Sequence, residues 1–139
     1  MQRDHLVHWA GGLTFTGTAA SGHSLVIDGD RKIGMSPMEM LLLGAAACAA
    51  VDLVTILRKG RQKVVDAQVQ IGGLRRDEHP RYYTVVEMHF RVLGTNVDPK
   101  RVERAIELAL EKYCSASAQI AALAEISTSY EIVESELPV

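Results

Sequence analysis

Cysteine is scarce in this sequence. Its 139 residues hold two, Cys48 and Cys114, and a pair this sparse in a reducing compartment reads as buried hydrophobes or working thiols rather than a structural bridge. Positive charge is not in excess either. Fifteen Lys and Arg stand against 17 Asp and Glu, for a net charge of −2, which leaves no field to draw in nucleic acid or anionic lipid. The small basic clusters, Lys59, Arg61 and Lys63 and then Arg75, Arg76 and Arg81, have acidic neighbours and read as solvated turns. The N-terminus, Met1-Gln2-Arg3-Asp4-His5, is charged and no apolar signal core follows it, so a cytoplasmic location is expected. The longest apolar run, Met40 to Val51, falls short of the roughly 20 residues of a membrane span and ends at Asp52. It reads as a buried helix, with no membrane partner.

No glycine-rich loop opens a helix after a strand, so a nucleotide cofactor is unsupported. His5-x-x-His8 lies at the chain end, His23, His79 and His89 are scattered, and no second cysteine stands near either thiol in sequence. Neither a metal nor any other cofactor is expected from that spacing. Repeats, low-complexity stretches and linkers are also missing. With 47% hydrophobic residues, the chain is expected to form one domain over 1–139.

Leu6 to Ala10, Leu13 to Thr18 and Ser24 to Asp28 are short strands separated by glycine-bearing turns. Ser36, Pro37 and Glu39 then fill the N-cap, N1 and N3 positions of a helix, a capping box with proline where its missing N–H does no harm. That helix is predicted over Pro37 to Arg58, stopping near Gly60. Val65, Ala67, Val69 and Ile71 alternate with polar residues, and Val86, Met88, Phe90 and Val92 do the same. Two paired strands are predicted, with Gly72-Gly73 and Arg75 to Arg81 as the turn. Asp98-Pro99 starts a second helix carrying Val102, Ala105, Ile106, Ala109, Leu110 and Tyr113 on one face. It either continues through Cys114 or breaks near Ser115 into a short helix reaching Ala124. Ile126 to Val133 closes the chain as a strand. The order βββαββαβ indicates an α+β fold.

Cys48 lies within Gly44-Ala45-Ala46-Ala47-Cys48-Ala49-Ala50, side chains so small that another element must approach the helix closely. This lining calls for a close-packed partner such as a second copy of the chain. Leu41, Gly44, Ala45, Asp52 and Thr55 share the face of Cys48. One alternative is an inert buried cysteine with Asp52 bonded to a neighbouring backbone group. The other is that Cys48 and Cys114, both on inward helix faces, meet as a redox pair. Spacing neither requires nor forbids that contact.

The segments Gly22-His23-Ser24, Ser36-Pro37-Met38-Glu39-Met40-Leu41, Cys48-Ala49-Ala50-Val51-Asp52, Lys59-Gly60-Arg61-Gln62 and Glu111-Lys112-Tyr113-Cys114-Ser115 resemble the OsmC/Ohr family, within it the YhfA-like branch. The resemblance implies an OsmC-like fold, with antiparallel sheets around two central helices in an intertwined homodimer. It also implies a thiol peroxidase for organic hydroperoxides. Cys48 would be the peroxidatic cysteine and Cys114 the resolving one, and a dithiol would reduce their disulfide.

One position departs from the peroxidase pattern. A glutamate follows the helix-opening proline in those branches and pairs with an arginine, whereas this chain has Met38 there. Glu39, the next residue, is rotated by about 100° and serves the capping box. Arg31, in the loop before the helix, is the nearest candidate arginine. Asp52 would disfavour a thiolate on Cys48. Glu39, Arg31 and Asp52 are thus the candidate supporting residues. Besides the peroxidase, these residues allow a non-catalytic binder of a small apolar ligand with idle cysteines.

Overall fold

Six strands and three helices follow one another in the computed structural model, which describes residues 1–137. Two units arise, Met1–Leu41 and Leu42–Val139. In the first, β1 (Leu6–Trp9), β2 (Thr14–Thr18) and β3 (Ser24–Asp28) form an antiparallel meander in the order β1-β2-β3. The glycine-bearing turns placed these strands correctly in the sequence.

Helix α1 runs Pro37–Lys59, one residue past its expected end. The capping box forms as read: Ser36 N–H donates to Glu39 Oε1 at 2.9 Å, and Glu39 N–H donates to Ser36 Oγ at 3.2 Å. At the other end Gln62 N–H reaches Leu57 O and Arg61 N–H reaches Arg58 O, both at 2.9 Å. This is a Schellman closure, and its left-handed residue is Arg61, at φ 60°, rather than Gly60. Because α1 continues beyond Asp52, it is long and apolar enough, by length and composition, to cross a membrane. The Met40 to Val51 run understates it. Ala45, Ala49, Leu53 and Leu57 nevertheless form a buried stripe on this helix.

In the second unit β4 (Lys63–Arg75) and β5 (Tyr83–Thr95) make the long antiparallel hairpin. Gly72 and Gly73 belong to β4 and not to the turn, opposite Glu87 and Val86. Gly73 is needed because a Cβ there would lie 2.6 Å from the Tyr83 ring. The turn is Arg76 to Tyr82, and arginines within and just before it serve its carbonyls. Arg75 Nε donates to Arg81 O at 2.6 Å and Arg76 Nε to Pro80 O at 2.8 Å. On β5 the alternation holds, with Val86, Met88, Phe90 and Val92 at most 1% exposed. Side chains this size each contribute roughly 1.5–3 kcal/mol when buried.

Asp98 caps α2 (Pro99–Leu108), accepting from Lys100 N–H at 2.9 Å. Its predicted stripe is buried at Val102, Ala105, Ile106 and Ala109, yet Tyr113 is 50% exposed. A five-residue π turn, Ala109–Tyr113, adds a residue to the helical repeat and rotates Tyr113 off the row. After it comes α3 (Ser115–Ala121), so the break near Ser115 is the alternative that forms. Strand β6 (Glu125–Glu134) pairs with β5 in parallel, giving the order β4-β5-β6. This parallel strand pairing departs from the expected antiparallel sheets. The helical crossover between β5 and β6 is what allows it.

Candidate functional site

Two elements far apart in sequence bring their sulfurs together. Cys48 and Asp52 lie one turn apart on α1, and Cys114 links the π turn to α3. The two thiol sulfurs and a carboxylate oxygen of Asp52 all lie within 4.8 Å of one another. Both cysteines are free, Cys114 buried and Cys48 half-buried. The contact that spacing left open is made.

The π turn sets the position of Cys114. Its N–H reaches back to Ala109 O at 2.6 Å, and the residue then turns extended, at φ −74° and ψ 99°. In that conformation Cys114 becomes the N-cap of α3 and its sulfur accepts from Ser117 N–H at 3.3 Å. The thiol proton has two acceptors within reach, Ser117 Oγ at 2.9 Å and Ala45 O at 3.8 Å. The second of these ties Cys114 to the small-residue stretch of α1 at the fully buried Ala45.

Burial pushes the Cys114 thiol above its ordinary value, and the Ser117 hydroxyl and N–H pull it partly back. The hydrogen bond with Cys48, and charge on Cys48, push it up again. Burial is the largest of these influences, so the Cys114 thiol holds its proton more firmly than an ordinary cysteine. Asp52 is not bonded to the backbone, which overturns one reading of the sequence. Its Oδ2 is sealed from solvent and has no hydrogen-bond partner among the described residues, an arrangement that is costly unless some other group visits.

The remaining candidates are placed elsewhere. Glu39 is held by Ser36, whose N–H and hydroxyl lower its carboxyl below the ordinary value, with the charge of Arg31 adding to them. Arg31 stands in the loop before α1 with φ 56°. His23 bonds Ser21 Oγ at 3.0 Å, and His89 bonds Ser129 Oγ at 2.8 Å, so each imidazole has a partner other than a thiol. Ser117, 1% exposed, is the site residue that sequence reasoning missed. The Cys114-x-x-Ser117 spacing matches an N-cap and its N3 residue, but cysteine is not among the side chains that ordinarily signal a cap.

Known proteins share this arrangement of elements. The family described as "OsmC-like protein" matches residues 28–129. Protein YhfA of Escherichia coli (strain K12) is 45% identical over 128 residues, covering 91% of this chain and 96% of that protein. A hypothetical protein from Aquifex aeolicus VF5 superposes with a TM-score of 0.87 at 29% identity, over 98% of this chain and 99% of its own. The organic hydroperoxide resistance protein OsmC of Legionella pneumophila, described as a predicted redox protein, has the same fold, with a TM-score of 0.68. It is 16% identical, over 91% of this chain and 96% of its own. With a family match across most of its length, a close relative at 45% identity, the α+β fold and the two cysteines in one place, this chain belongs to the OsmC-like protein family.

Proposed function

We propose that this protein is a thiol peroxidase for organic hydroperoxides, acting as a homodimer and recycled by a dithiol. The observation that carries the reading is the free Cys48–Cys114 pair, with both sulfurs inside a 4.8 Å cluster. In the first step the Cys48 thiolate attacks one peroxide oxygen and the O–O bond breaks. The departing alkoxide takes a proton and leaves as the alcohol, and Cys48 is left as a sulfenic acid. The Cys114 sulfur then displaces the sulfenic oxygen as water, forming the Cys48–Cys114 disulfide. A dithiol returns both thiols by exchange.

The surroundings of the Cys114 sulfur support this division of labour. Burial holds the Cys114 thiol above its ordinary value, which suits the residue that waits for the sulfenic acid. The Legionella pneumophila protein of the same fold is described as an organic hydroperoxide resistance protein, in line with the substrate class. Glu39 is committed to its cap, so Asp52 is the carboxylate of the thiol site. The alternative, an apolar ligand binder, has less in its favour. An open groove of about 570 Å³ does run past Ser117, but Glu103, Glu107 and Glu111 line it, and carboxylates suit an apolar occupant poorly.

The test is peroxide consumption by the reduced protein with a small dithiol, comparing an organic hydroperoxide with hydrogen peroxide. Faster loss of the organic substrate is expected, with none for Cys48→Ser and a single equivalent per chain for Cys114→Ser. A wild-type protein that consumes neither substrate would sink the proposal.

A further inference from the structure

Sequence spacing argued against a metal because it looked for ligands close together along the chain. The fold assembles ligands from α1 and from the start of α3 instead. Cys48, Cys114 and Asp52 present two sulfurs and one carboxylate oxygen within 4.8 Å of one another. In a tetrahedral zinc site with Zn–S near 2.3 Å, neighbouring sulfurs are about 3.8 Å apart. The three atoms therefore need to close by about an ångström or less to surround one ion.

A second observation points to a ligand. Asp52 Oδ2 is sealed from solvent without a hydrogen bond, and no Lys or Arg forms an ion pair with Asp52 among the described residues. A carboxylate in this state, with an oxygen in the same cluster as two sulfurs, is a fitting cation ligand. Cys114 is already pinned by Ser117 and by the α3 cap, and Cys48 and Asp52 are held one helical turn apart, so the donor set is largely fixed before any ion arrives.

We propose that Cys48, Cys114 and Asp52 form a binding site for a thiophilic divalent cation, with Zn2+ as the fitting ion. Two thiolates and a carboxylate suit a borderline-soft d10 ion and disfavour Mg2+ or Ca2+, which take oxygen donors. Three protein ligands leave a fourth position open to water or to a small anion. Binding releases two thiol protons to solvent and changes no oxidation state. Bound ion would occupy the sulfurs that peroxide must reach, and a Cys48–Cys114 disulfide would expel it. The site would thus report the redox state of the pair.

The experiment is zinc binding to the reduced full chain without peroxide, measured by competition with a chromophoric chelator. Cobalt(II) absorption reads out thiolate ligation and tetrahedral geometry. One ion per chain is expected. Cys48→Ser and Cys114→Ser should each weaken zinc by at least about 100-fold, and Asp52→Asn by at least about 10-fold. Asp52→Cys, which keeps a ligand at that position and makes it softer, should bind at least as tightly as wild type. Circular dichroism establishes that Asp52→Asn is folded, and a count of two thiols after denaturation that it is reduced. Should that variant not fold, the tetrahedral cobalt spectrum of wild type and the affinity of Asp52→Cys decide. Absence of stoichiometric binding, or equal affinity in wild type and folded Asp52→Asn, overturns the three-ligand site. Because no peroxide is present, failure of the peroxidase assay and failure of this one are independent results.

Discussion

Ser117 is where a single atom can be removed to ask how the waiting thiol is kept ready. Its hydroxyl lies 2.9 Å from the Cys114 sulfur and its N–H donates at 3.3 Å, and both oppose the upward push of burial. Ser117→Ala deletes the hydroxyl and spares the N–H. The Cys114 thiol should then rise further, and the pH profile for closing the disulfide should move to the alkaline side. At neutral pH the closure rate should fall by roughly two- to ten-fold, since the attacking species is the thiolate. Rapid quenching with mass spectrometry of the crosslinked peptide measures this. An unmoved profile would mean the hydroxyl does not tune the thiol. Asp52 supplies the opposite kind of test. Its orphaned Oδ2 costs the fold, so Asn, whose amide offers a donor, should raise denaturant stability by about 1 kcal/mol.

At the scale of an element, α1 is built by its ends. Ser36→Ala removes the side-chain acceptor for Glu39 N–H and should cost about 1 kcal/mol. The Glu39 carboxyl is held below the ordinary value near 4.5 by Ser36 and then by Arg31. A depressed carboxylate adds stability that is full above its unfolded value and is lost as pH falls through the folded one. Glu39→Gln should therefore flatten the acid limb of the stability profile below about pH 5, and urea titrations at several pH values read it. At the other end Arg61 occupies a left-handed position at φ 60°, where a side chain is strained. Arg61→Gly should raise stability by about 1 kcal/mol, a gain that thermal unfolding would detect.

Elements whose determinants are local are legible in the sequence. Ser36-Pro37-x-Glu39 and Asp98-Pro99 state their caps within four residues, and the alternation through Val86, Met88, Phe90 and Val92 shows the buried face of β5 directly. The misses share another cause. Gly73 looked like a turn residue, but it is set by Tyr83 across the hairpin. The π turn before Cys114 follows the helix periodicity until one residue too many carries Tyr113 outward. The meeting of Cys48 with Cys114, and the part of Ser117, depend on contacts between separate elements, which no linear spacing encodes.

For the molecule as a whole, the decisive feature is the apolar surface a single chain leaves exposed. Within Met1–Leu41 the buried residues are Ile27 and Asp28 alone among the described residues. Leu6, Val7 and Trp9 of β1 are each more than 60% exposed. Three short strands with so little interior are not independently stable in water. On α1, Val51 is 65% and Leu43 48% exposed, with Gly44 and Ala47 open beside them, a surface suited to a closely approaching helix. A second copy of the chain would cover these faces, and that is the basis for proposing an obligate homodimer. Sedimentation equilibrium at micromolar concentration should give twice the chain mass of 15.2 kDa, and the unfolding midpoint should rise with protein concentration. Val51→Glu places a charge in that surface. It should weaken association by at least about 100-fold, in the range seen when an unpaired charge is buried in an interface, and lower the unfolding midpoint at fixed concentration. A wild-type chain that sediments as a fully folded monomer, with a midpoint independent of concentration, would show that these apolar faces need no second copy.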